Sequence, residues 1–84
     1  MYKLYGTMLC KDCVACVEQF QTAGVAYEFH DIGNDLDNLK VFLRLRDQSP
    51  LFDEAKANGS IGVPCIVRED GSLTLDWEGC LPAR

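Results

Sequence analysis

Apolar and polar positions along the chain switch repeatedly between the strand and helix periods. Tyr2-Lys3-Leu4-Tyr5 is a short, aromatic-rich run that predicts a first strand over 2–5, which Gly6 and Thr7 leave. From about Cys10 to Ala23 the apolar residues Cys13, Val14, Val17 and Phe20 recur at i, i+1, i+4 and i+7, one face of a helix. Gly24 closes that helix at the residue after its end. Residues 25–32 alternate loosely, carry two aromatics and predict a second strand. Gly33-Asn34-Asp35 reads as a turn ending in an N-cap, with Asp35 and Asp37 at the positive dipole end of a second helix. Leu36, Leu39, Phe42 and Leu43 mark its apolar side to about Asp47. Ser49-Pro50 is a cap followed by proline at the first helical position, and the short helix it starts, 50–57, stops at Asn58-Gly59. Residues 64–68 read as a strand, Asp70-Gly71 as a hairpin turn and 72–76 as the return strand. The last eight residues show no clear period.

The order β-α-β-α-α-β-β predicts an α/β fold. Two strands around a helix form a parallel unit, the last two a hairpin, and together they give a four-stranded mixed sheet flanked by helices. A length of 84 residues suits one domain spanning 1–84. Hydrophobic content of 48% with 25% charged residues and three prolines excludes a disordered chain. A formal charge of −5, with its few cations scattered, excludes a nucleic-acid module, which needs a basic patch to displace counterions. No apolar run approaches the ~20 residues of a membrane helix. The first residues lack the apolar stretch of a signal peptide. A cytoplasmic monomer, with no nucleic-acid or membrane partner, is therefore expected.

A reducing compartment makes the five cysteines informative. Three are bunched in Cys10-Lys11-Asp12-Cys13-Val14-Ala15-Cys16, while Cys65 and Cys80 stand alone. Cys10 falls where a strand runs into a helix, and there the unpaired N–H groups and positive dipole end favour an anionic sulfur. Lys11 adds a positive charge beside it, and Asp12 opposes that. Cys13, one turn on, is close enough to attack a mixed disulfide formed on Cys10. A C-x-x-C beside a βαβ pattern reads as a redox motif.

With these residues together, the stretch from Tyr5 to Cys13 resembles the first-strand-to-helix passage of glutaredoxins. Gly62-Val63-Pro64 resembles that family's Thr-Val-Pro segment, and Trp77-Glu78-Gly79 resembles the end of the glutaredoxin-like hydrogen donors of ribonucleotide reductase. The resemblance covers nearly the whole chain. It implies a thioredoxin-like fold, Cys10 as nucleophile, Cys13 as resolving thiol, and a cis Pro64. It further implies a substrate or glutathione groove involving Lys11, Val63, Pro64 and Gly79. No permanently bound cofactor is implied. Glutathione is the candidate co-substrate, and the partners are a disulfide-containing protein and either glutathione or a thioredoxin-reductase-like flavoprotein. The chain has Lys11-Asp12 where glutaredoxins have Pro-Tyr, Thr7 where many have lysine, and Glu78-Gly79 for their Gly-Gly. These differences weaken the glutathione site and favour the hydrogen-donor type. The chain's end at Arg84 leaves at most a stub of the family's last helix.

Cys16, one further turn along the helix, and Cys65, next to Pro64, are candidate auxiliary thiols. Each is otherwise a small buried apolar residue, and Cys80 reads as incidental. A rival reading joins Cys10, Cys13, Cys16 and Cys65 as four ligands to zinc or an iron–sulfur cluster. A helix spreads 10, 13 and 16 over about 9 Å along one face, so no metal is expected. A third reading is a non-catalytic interaction domain. His30 is expected at a strand edge, Asp31, Asp35 and Asp37 in turns and caps, and Tyr5 and Trp77 in the core or at its rim.

Overall fold

The computed structural model describes residues 1–82. Four strands, β1 (Tyr2–Gly6), β2 (Tyr27–Asp31), β3 (Cys65–Val67) and β4 (Leu73–Thr74), form one sheet in the order β2-β1-β3-β4. β2 runs parallel to β1, as the helix between them requires, while β3 is antiparallel to both β1 and β4. The fold is thus α/β with an open, mixed four-stranded sheet, as the sequence pattern predicts.

Helix α1 (Lys11–Ala23) ends at Gly24, whose left-handed φ of 71° lets its N–H reach back to Gln21 and Phe20. Helix α2 (Leu36–Gln48) starts at Asp35, whose carboxylate accepts the Asn38 N–H at 3.1 Å. The expected short helix over 50–57 is divided. Pro50–Phe52 is a 3₁₀ turn capped by Ser49, and α3 (Asp53–Ala57) follows directly. Three expected strands are shorter than their patterns, β3 keeping only Cys65–Val67 of 64–68. β2 begins at Tyr27, because Val25 donates its N–H to Phe20 to finish the α1 cap. β4 keeps only two residues of 72–76: β3 offers it partners at Ile66 and Val67, and Asp76 caps a 3₁₀ turn at Trp77–Cys80. That turn takes up four of the last eight residues; 83 and 84 lie outside the described residues.

Strand alternation divides the core into two halves. Leu4 and Ile66, opposite one another, meet Cys16, Val17 and Phe20 of α1 together with Cys80. Tyr5 and Cys65, also opposite one another, meet Ile32, Phe42 of α2 and Phe52. On α2 only Phe42 is buried, while Leu36 is 65% exposed and Leu43 40% exposed. The helix seats on Leu39, Phe42 and Leu45, and the two outer leucines, seven residues apart, fall on the flank of that seam. No helix among the described residues is long and apolar enough to cross a membrane.

Candidate active site

β1 brings the chain to the site and α1 carries it away. Thr7 shapes the turn between them: its carbonyl accepts the Cys10 N–H at 3.1 Å and its hydroxyl accepts the Leu9 N–H at 3.2 Å. Cys10 is then the N-cap of α1, with extended backbone and its carbonyl accepting the Val14 N–H at 3.1 Å. Its side chain makes no capping hydrogen bond. Of the five cysteines it is the one that is not buried.

Cys13 is fully buried one turn along. Gly6 makes room for it: a Cβ at Gly6 would sit 2.8 Å from the Cys13 sulfur. Burial pushes the Cys13 thiol up. A backbone hydrogen bond from Thr7 partly offsets this, and the neighbouring Cys10 and Asp12 push it up further. Cys13 therefore keeps its proton while Cys10 stands at the surface.

Facing this pair is the segment before β3. Val63 lines a cleft of about 580 Å³ together with Thr7, Leu9, Cys10, Asp12 and residues 59–62. The Val63–Pro64 peptide bond is cis, matching the expectation for Pro64. Among the described residues, no backbone group pairs with the Val63 N–H or C=O. The segment is pinned from behind by Gly62, whose φ is +95° and whose absent Cβ would lie 2.6 Å from the fully buried Phe52. Pro64 is buried behind Val63 and leads into the equally buried Cys65.

The remaining sequence-predicted residues lie elsewhere. Lys11 is exposed on the first turn of α1 and is not among the residues lining the cleft; Asp12 is. Gly79 also lies outside that lining, and its N–H is donated to the Asp76 carboxylate at 3.2 Å. Cys16 is buried on the α1 side of the sheet and Cys65 on the α2 side, so the four thiols of the metal reading do not converge. Among the described residues no three His, Cys, Asp or Glu side chains are grouped to hold an ion. Burial pushes the Cys16 thiol up to about 12, with Cys13 and Cys80 adding to it, and pushes Cys65 up to about 11. Cys80 is raised by burial too, and its thiol lies 3.9 Å from the Asp76 carbonyl. His30 lies in β2, stacked on the Tyr5 ring at 4.7 Å, and Tyr5 of β1 stands between it and Cys65 in the same register row. Trp77 packs against the α1-side core.

Leu9, Asp12, Arg46 and Ile61 were not singled out by sequence as site residues. Leu9 is 93% exposed and Ile61 55% exposed. Each is an apolar residue in a loop, outside any period that would bury it, which is the signal that could have marked them. Arg46 donates from Nε to the Ile61 carbonyl at 2.9 Å and from Nη2 to the Ser60 carbonyl at 2.8 Å, holding the loop against α2.

Among known proteins, an uncharacterized protein of Haemophilus influenzae is 40% identical over 73 residues, covering 87% of this chain and 85% of that one. No family model matches the chain. No solved structure matches it.

Proposed function

We propose that this chain, which belongs to the family of the Haemophilus influenzae protein, is a dithiol thiol–disulfide oxidoreductase of glutaredoxin type on a thioredoxin-like fold. The observation that carries the reading is the pairing of one accessible thiol with one protected thiol at a strand-to-helix turn. Cys10, half-buried, caps the N-terminus of α1 with its thiol in no capping hydrogen bond, and Cys13 is buried one turn on.

The chemistry follows from that asymmetry. The Cys10 sulfur attacks one sulfur of a substrate disulfide, forming a mixed disulfide and expelling the other sulfur as a thiolate. Cys13 then attacks the Cys10 sulfur. The Cys10–Cys13 disulfide forms, the second substrate thiolate leaves, and the proton lost by Cys13 ends on a departing thiolate. The substrate disulfide gains two electrons, which the two cysteines lose. The unpaired Val63 backbone beside Cys10 offers an N–H and a C=O to an extended substrate, in the manner of strand addition. Glutathione or a thioredoxin-reductase-like flavoprotein would return the enzyme to the dithiol, in the cytoplasm.

Cys10→Ser should reduce hydroxyethyl disulfide no faster than background, whereas Cys13→Ser should accumulate a mixed disulfide, seen as an added mass on the intact protein. Undiminished reduction by Cys10→Ser would overturn the assignment.

A further inference from the structure

The cleft beside Cys10 does not end at Val63. A second hollow of about 400 Å³, walled by Leu39, Leu43 and Arg46 of α2, shares Thr7, Leu9 and residues 59–61 with it. The two form one trough that runs from the reactive sulfur to the exposed flank of α2. Leu9, Ile61 and Leu43 stand along it, each with 40% or more of its surface open to solvent. Apolar side chains gathered in this way lose contact with water only when something apolar covers them.

The charges along the trough are equally specific. Among the described residues lining it, the one cation is Arg46, and its Nε and Nη2 are already donated to the Ile61 and Ser60 carbonyls. Asp12 places a carboxylate beside Cys10, on a chain that carries −5 overall. Glutathione brings two carboxylates and one ammonium group, so in the trough it would meet the Asp12 carboxylate with the one lining guanidinium engaged elsewhere, exposed Lys11 lying outside the lining.

We propose that the trough takes an extended protein segment whose disulfide is flanked by apolar side chains, in preference to glutathione. The proposal rests on the dithiol reading above and names the substrate class of that site. Leu9, Ile61 and Leu43 receive the flanking side chains, Val63 pairs with the segment's backbone, and Asp12 favours a neutral or basic residue next to the disulfide. The exchange step and its electron balance are those already given.

The test is single turnover with pre-reduced wild-type protein, which needs no reductase. Oxidation of the Cys10–Cys13 pair is followed by acid quench and mass spectrometry, at limiting concentrations of three disulfides. These are hydroxyethyl disulfide, a peptide disulfide flanked by Leu and Val, and the glutathione mixed disulfide of an Asp- and Ser-flanked peptide. The apolar peptide should react at least roughly tenfold faster than the glutathione disulfide. Leu9→Ser with Ile61→Ser, both at exposed loop positions, should erase that preference by slowing the apolar peptide. A glutathione disulfide that reacts as fast as the apolar peptide, or a double variant that keeps the preference, overturns the proposal while leaving the dithiol reading intact. Wild-type protein that oxidises with none of the three overturns that reading and this one with it.

Discussion

The two sides of the sheet bury their apolar residues in contrasting ways. The α1 side buries one ring, Phe20, among Leu4, Ile66, Val17, Cys16 and Cys80, with Tyr2, Tyr27, Phe29 and Trp77 half-buried around its margin. The α2 side buries three rings: Phe42 meets Phe52 edge-on at 5.9 Å, and Tyr5 lies 6.5 Å from Phe42. Small polarizable groups let α1 lie close to the strands, close enough that Cys13 needs a glycine opposite it. The buried rings fix the other layer by shape, and Gly62 settles on one of them to hold the Val63 segment. The thiol-bearing wall of the cleft is therefore positioned by close approach, and the Val63 wall by aromatic packing.

Removing a ring should damage the molecule most. Phe42→Ala should cost about 3–5 kcal/mol. An 84-residue chain is expected to have a total stability of roughly 4–13 kcal/mol, so the urea midpoint should fall steeply. Cys16→Ala, on the other side, removes a single sulfur and should cost about 1 kcal/mol by the same measurement. Equal losses would mean that the two halves do not differ as their packing suggests.

Gly6→Ala tests the close approach directly. With a Cβ 2.8 Å from the Cys13 sulfur, either the thiol or the α1 turn must move. A loss of about 1–3 kcal/mol is expected, with slower closure of the Cys10–Cys13 disulfide from a trapped mixed disulfide. Normal closure kinetics would show that the thiol has room to spare.

The gentlest probe is alkali. In the folded chain Cys16 titrates near 12 and Cys65 near 11, against an ordinary thiol value of 9.0. Between those values the unfolded chain gives up protons that the folded chain keeps. Stability should therefore be intact below about pH 9 and fall as pH rises toward 11–12, by up to about 1.4 kcal/mol per pH unit for each thiol. Cys16→Ala should flatten the fall in chemical denaturation measured from pH 8 to pH 11, and an unchanged slope would remove Cys16 from the account.

Much of the fold was legible because the punctuation is strong. Gly24, Asp35, Ser49-Pro50 and Asp70-Gly71 each stop or start an element where the local chemistry demands it. The α2 surface was less legible. Leu36 and Leu43 share a period with Leu39 and Phe42, but a helix against a small sheet covers a narrow stripe, and periodicity does not say where that stripe is centred. β4 was overestimated because alternation in 72–76 is local, whereas pairing needs a partner of equal length. At the site, the C-x-x-C and Val-Pro segments could be read from spacing. The enlistment of Arg46 by the carbonyls of residues 60 and 61 is a contact between distant parts of the chain, and no local pattern carries it. Gly79 shows the opposite failure: its motif is legible, yet its N–H is committed to Asp76.

The order β2-β1-β3-β4 leaves two strands with an open side, and both resist self-association. β4 is two residues long, too short to template another chain. β2 carries Glu28 and Asp31, which would face like charges in a second copy's β2 paired edge to edge. The exposed apolar side chains of Leu9, Ile61 and Leu43 thus stand on a molecule whose sheet edges are blunted against templating a second copy.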